Sequence, residues 1–252
     1  MNRIYQAQYS SILDRELHLL VYGHDGIPML AFPCQDGYCS NWEDFDMPQT
    51  LSDFIEGGRI QLFVVDTIDR ESFSDGGGDG GHRSWMQEQY YRYITEEVVP
   101  LIHSMNPTGR KILATGFSLG ASHAAICFFR RPDLFGGVIS LSGLYNMSYF
   151  FDGWCDERIY NNSPEIFLRN MPSDHPYIQM YNSSTIVIAV TEGCWEGDCT
   201  DSTRKMDSIL REKGINAHFI YWGGDSNHDW PYWKRQIREF LPWVLDEMYA
   251  RC

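Results

Sequence analysis

A five-residue segment, Gly116-Phe117-Ser118-Leu119-Gly120, constrains what this chain can fold into more than any other. The apolar run Lys111-Ile112-Leu113-Ala114-Thr115 precedes it and reads as a strand, while Ala121-Ser122-His123-Ala124-Ala125 follows as the small-residue start of a helix. A G-x-S-x-G pattern between strand and helix is the setting of a nucleophile elbow, a sharp turn that carries its serine at a strained tip. The flanking glycines leave the backbone room to bend. The helix N-terminus behind Ser118 aims unpaired N–H groups at the reacting centre. Without that setting the same pattern is a glycine-containing turn with a spare serine.

Strand and helix signals alternate along the rest of the chain. Strand-like runs occupy Leu17–Tyr22, Pro28–Pro33, Ile60–Val65, Gly136–Gly143, Ile186–Val190 and Ala217–Trp222. Helical patterns run from Asn41 to about Ile55, from Ser84 towards Ile102, over Thr200–Lys213 and over Trp230–Tyr249. The expected class is α/β, a three-layer sandwich around a mainly parallel sheet of roughly eight strands. A chain of 252 residues fits one domain, 1–252, with no internal repeat. Residues 145–180, rich in Tyr, Phe, Asn, Pro and Met, break the rhythm and read as an inserted cap. The glycine-rich stretch 75–81 lacks the Lys-Ser/Thr ending of a phosphate loop and reads as a flexible surface excursion.

The formal charge of −14 argues against nucleic acid and anionic membrane surfaces as partners. No apolar stretch approaches a membrane span, and the N-terminus does not lead into a signal-peptide run, so a cytoplasmic location is expected. Seven cysteines, an odd number in a chain this long, fit reduced thiols. Cys34/Cys39 and Cys194/Cys199 are each separated by four residues, which is not the usual short zinc spacing, so no metal is expected. Homo-oligomerisation stays open.

A nucleophilic serine needs a general base, and the base needs an acid to orient it. In a strand–elbow–helix architecture the chain order is Ser, then Asp/Glu, then His. His228 lies directly after the run 217–222 and before the final helix, where the base belongs. The other histidines fit worse: His18 and His218 lie in strands, His24 and His82 precede the serine, and His103 and His175 lack strand-end context. His123 sits in the helix leading away from Ser118, in a packed or capping position. For the acid, Glu192, Glu196 and Asp198 all follow the strand ending at Val190; Glu192 is too close to the strand end, and spacing does not separate Glu196 from Asp198. A tetrahedral intermediate also needs an oxyanion hole. The backbone N–H of Leu119 is one expected donor, and the N–H of Gln35 is the other, with Cys34 as its alternative.

With these residues in view, the chain resembles the esterase D-like "Putative esterase" family of α/β-hydrolases, which includes S-formylglutathione hydrolases, feruloyl and acetylxylan esterases and mycolyltransferases. The resemblance spans nearly the whole chain, is nearest to compact bacterial members, and rests on Ala31–Gly37, Gly116–Ala121, Trp195-Glu196 and Asn227–Trp233. It implies the α/β-hydrolase fold, with Ser118 as nucleophile, His228 as base and Glu196, rather than Asp198, as acid. The implied activity is that of a cofactor-free serine carboxylesterase acting on small-molecule esters. The stretches 75–81 and 145–180 look individual to this sequence and leave the substrate open. Tyr145, Trp154, Trp195 and Trp230 near the expected site give a weak preference for acetylated or feruloylated carbohydrate. An acyltransferase with the same residues and a catalytically silent binding protein are the rival expectations.

Overall fold

The computed structural model describes residues 1–106 and 108–251. Eight strands form one sheet: β1 Arg3–Ser10, β2 Arg15–Tyr22, β3 Ile27–Phe32, β4 Ile60–Val65, β5 Ile112–Phe117, β6 Phe135–Leu141, β7 Thr185–Thr191 and β8 His218–Trp222. Their order is β1-β2-β4-β3-β5-β6-β7-β8. β1 and β2 pair antiparallel, as do β2 and β4, and every later pairing is parallel. β3, β4, β5 and β7 are buried along their whole length, which explains their near-continuous apolar sequences.

Alternate residues of the strands feed two cores. Leu30, Phe32, Phe63 and Val65 face one side, where Tyr90, Ile94, Phe128 and Met206 come from the helices Gly80–Tyr93, Leu119–Arg130 and Gly197–Glu212 and the turn between them. Met29, Ala31, Leu62, Val64 and Phe117 face the other side, against Ile55, Trp233, Ile237 and Leu241. The last three belong to the final helix, Trp230–Ala250.

Four sequence expectations are corrected by local chemistry. β1 was not foreseen: RIYQAQYS is an edge strand, largely exposed, and carries too few apolar residues to stand out. The helix expected from Asn41 to Ile55 is three short helices, broken where Asp46 takes a left-handed φ of 55° and Pro48 follows. The helix expected from Ser84 starts at Gly80, because the Asp79 side chain accepts a hydrogen bond from the His82 N–H; the glycine-rich stretch thus runs into a helix N-terminus. The same helix passes through a π-helical turn, Ile94–Val98, before Pro100.

Residues 147–182 form a 3₁₀ turn and three short helices, Glu157–Asn161, Pro164–Asn170 and Pro176–Asn182. Arg83 fastens the start of this segment. Its buried guanidinium donates to the carbonyls of Ser72, Phe73 and Phe150 and lies 4.3 Å from the Phe151 ring centroid. Arg83→Met should leave those carbonyls unsatisfied and lower stability by about 1–3 kcal/mol. Urea unfolding would measure the loss, with hydrogen exchange rising first over 147–154.

Candidate active site

Parallel pairing brings the C-terminal ends of β3, β5, β6, β7 and β8 to one edge, through partners such as Phe32–Gly116, Phe117–Leu141 and Thr191–Trp222. Ser118 follows β5 there with φ 56° and ψ −127°, a left-handed conformation that costs a non-glycine residue about 1–3 kcal/mol. The surrounding structure holds it: the Ser118 N–H donates to the Leu141 carbonyl at 3.0 Å, and its own carbonyl accepts from the Ala121 N–H at 3.0 Å. Gly120 is required for a close approach, because a Cβ there would overlap the carbonyl oxygens of Phe32 and Pro33.

Ser118 Oγ lies 2.8 Å from Nε2 of His228. The imidazole packs edge-on against Trp233, with ring centroids 4.9 Å apart, and its Nδ1 is 3.3 Å from Glu196 Oε2. Among the described residues neither Nδ1 nor Oε2 has any other hydrogen-bond partner that meets standard geometry, so these two buried atoms face each other. Glu196 is 0% exposed. Its Oε1 accepts hydrogen bonds from Ser142 Oγ at 2.6 Å and Thr191 Oγ1 at 2.8 Å, and Trp233 Nε1 in turn donates to Ser142 Oγ at 3.2 Å.

The loops carrying Glu196 and His228 are locked together. A Cβ on Gly193 would fall on the Ser226 carbonyl oxygen, and the Cys194 N–H donates to Asn227 Oδ1 at 3.0 Å. Asp198, the alternative acid, points away: it is exposed and accepts from the Tyr149 hydroxyl at 2.9 Å. Glu192 is also exposed and pairs with Arg204 at 3.4 Å. His123 is buried, with Nε2 2.9 Å from Asp69 Oδ1.

Of the backbone donors, the Cys34 N–H is committed to Asn41 Oδ1 at 3.0 Å. Among the described residues the N–H groups of Gln35 and Leu119 have no protein acceptor. The Cys34 thiol is no rival nucleophile, since desolvation pushes it up to about 12. Cys199, Glu196 and His228 bring their donor atoms within 4.8 Å of one another, and burial, then Glu196, hold the Cys199 thiol well above its ordinary range.

The aromatic residues divide. Tyr145 is buried, its hydroxyl 2.9 Å from Ser140 Oγ, and Trp230 is buried edge-on to Phe117. Trp154 and Trp195 reach solvent, Trp195 being 91% exposed. The supports Ser142, Thr191 and Asn227 were not singled out in the sequence. Ser142 and Thr191 carry one available signal, a hydroxyl residue at or just past the end of a parallel strand.

Gly120→Ala should drive the elbow helix off β3. The expected result is loss of soluble folded protein, or a fall in thermal midpoint of roughly 10 °C or more in any fraction that folds. Circular-dichroism melting against wild type measures it.

A family model described as "Putative esterase" matches residues 10–244. No curated protein matches the chain by sequence. Solved structures that resemble it include a ferulic acid esterase, with TM-score 0.78 and 15% identity over 98% of each chain. An S-formylglutathione hydrolase from Agrobacterium tumefaciens aligns with TM-score 0.73 and 12% identity over 98% of this chain and 100% of that one. Another from Staphylococcus aureus gives 0.70 and 16% over 97% and 96%. The fold is the one these hydrolases share. The chain belongs to the "Putative esterase" family, whose members are carboxylic ester hydrolases.

Proposed function

We propose that the protein is a serine carboxylesterase in which Ser118 attacks the ester carbonyl, His228 takes its proton and Glu196 orients the imidazole. The observation that carries this reading is the continuous contact from Ser118 Oγ through both ring nitrogens of His228 to a buried glutamate. A neutral imidazole with its proton on Nδ1, towards Glu196, presents an Nε2 lone pair to the serine hydroxyl. Proton transfer to Nε2 would create an imidazolium beside the acid that can stabilise it. The tetrahedral oxyanion would be received by the Leu119 and Gln35 N–H groups, which together supply several kcal/mol of transition-state stabilisation, about 3 kcal/mol each. His228 then returns the proton to the leaving alcohol, and the acyl-enzyme is hydrolysed by water that His228 activates. None of these steps calls for a metal or organic cofactor.

In this reading 145–180 is a cap on a single domain, 1–252. The substrate class is small acyl esters, with acetylated or feruloylated carbohydrate as the narrower choice. Trp154 and Trp195 are the exposed aromatic surfaces that favour it, and feruloyl ester cleavage is named for the structural relative of highest TM-score given above. Six free cysteines among the described residues, and no helix among them long and apolar enough to cross a membrane, fit a reducing, cytoplasmic setting.

Ser118→Ala should abolish p-nitrophenyl acetate hydrolysis, with kcat falling by roughly 10³-fold or more at unchanged fold; equal rates in variant and wild type would refute the mechanism. Glu196→Gln should lower kcat by about 10²–10⁴-fold, whereas Asp198→Asn should stay within about twofold. The reverse order would assign the acid to Asp198. A panel of acyl, feruloyl and acetyl-sugar esters then identifies the substrate.

A further inference from the structure

The proposed oxyanion donors ride on different parts of the chain. Leu119 opens the elbow helix, and Gln35 lies on the loop after β3. Transition-state stabilisation by two N–H groups depends on their mutual placement, so something must fix the loop relative to the helix.

A second acid–histidine pair, unused by the proposed mechanism, spans that gap. His123 lies on the elbow helix one turn beyond Leu119 and is 1% exposed; Asp69, also 1% exposed, stands after β4. His123 Nε2 is 2.9 Å from Asp69 Oδ1, and Asp69 Oδ2 accepts the Asp36 N–H at 3.1 Å. The imidazole is fixed among Phe32, Phe73 and Tyr90, whose ring centroids lie 5.8, 5.5 and 5.1 Å away. The Asp69 carbonyl also accepts the N–H groups of Ser72 and Ser74, and Ser74 Oγ receives the Gln35 side-chain amide at 2.9 Å. The turn containing Asp69 therefore grips Gln35 twice, through its own side chain and through the peptide N–H that follows it. Asp36 needs such a grip, since it holds a left-handed φ of 60°.

We propose that Asp69 and His123 are positioning residues that set the oxyanion hole, one carboxyl group tying the helix that carries Leu119 to the loop that carries Gln35. Neither touches the reacting atoms. Their effect reaches the substrate through the orientation of the Gln35 peptide, which follows from its neighbour's bond to Asp69. This inference rests on the esterase reading above.

Asp69→Ala, Asp69→Asn and His123→Phe, each checked for fold by circular dichroism, would be assayed on p-nitrophenyl acetate and titrated with an aryl trifluoromethyl ketone, which adds to the serine and generates an oxyanion in the hole. Asp69→Ala should lower kcat by roughly ten- to hundredfold with KM within about threefold. The inhibition constant of the ketone should rise by the same factor. Asp69→Asn, which retains an acceptor for the Asp36 N–H and an amide for a tautomerised His123, should restore most of the activity. His123→Phe keeps the aromatic packing and supplies the same comparison if Asp69→Ala does not fold. Folded Asp69→Ala or His123→Phe with kcat within twofold of wild type overturns the positioning role, as does a drop in kcat without a matching loss of ketone affinity. Absence of esterase activity in the wild type would instead overturn the function reading, and this inference with it.

Discussion

The contact on which the rest of the site depends is between backbones. Gly120 lies against the carbonyl oxygens of Phe32 and Pro33 with no room for a Cβ. This approach lets the elbow helix begin directly over the end of β3, beside the loop that follows it. The proposed oxyanion donors, the N–H groups of Leu119 and Gln35, lie on these two segments, which the Asp69 side chain ties together through His123 and the Asp36 N–H. The close approach also confines Ser118 to a positive φ, a strain that hydrogen bonds to Leu141 and Ala121 hold in place. The pattern of glycines around the serine is thus a requirement of packing density before it is a requirement of chemistry.

Burial of Glu196 sets the orientation of His228. A fully buried carboxyl is unfavourable unless both oxygens find donors. Oε1 has two, Ser142 and Thr191, both presented at the end of a parallel strand. Oε2 has the imidazole facing it, at 3.3 Å. The cheapest state therefore keeps a proton on Nδ1, which leaves Nε2 free to face Ser118. Gly193 packs on the Ser226 backbone, so the loops carrying Glu196 and His228 are joined. The tautomer and its distance to the serine are consequently fixed by the same contacts.

The sequence made the sheet, the elbow and the position of His228 legible because each is local: an apolar run, a glycine pattern, a residue after a strand. The two candidate acids were not separable by spacing, since Glu196 and Asp198 lie two residues apart at the start of one helix. What separates them is a turn at Trp195, invisible in sequence, that sends one inward and leaves the other beside Tyr149. The Asp69–His123 pair was equally out of reach. Its members are 54 residues apart, and only the passage of β4 beside β3 brings Asp69 to the elbow helix. Tyr145 failed for a related reason: its place near the site in sequence says nothing about which way it points, and its hydroxyl is used inside the core.

Trp195 joins the buried Glu196–His228 pair to the protein surface. Its φ of 68° is unfavourable for a tryptophan, yet that turn is what buries the next residue, Glu196, while Trp195 itself is left 91% exposed. Inward carboxyl and outward indole are two results of one backbone conformation. The positions that hold the reacting groups are over-determined by buried contacts. The exposed aromatics are held less tightly: Trp195 is almost wholly in solvent, Trp154 packs on Phe151, and the Tyr149 hydroxyl donates to Asp198. Substitution of these three exposed side chains would leave Ser118, His228 and Glu196 undisturbed, because none of the contacts that place the latter three involves them.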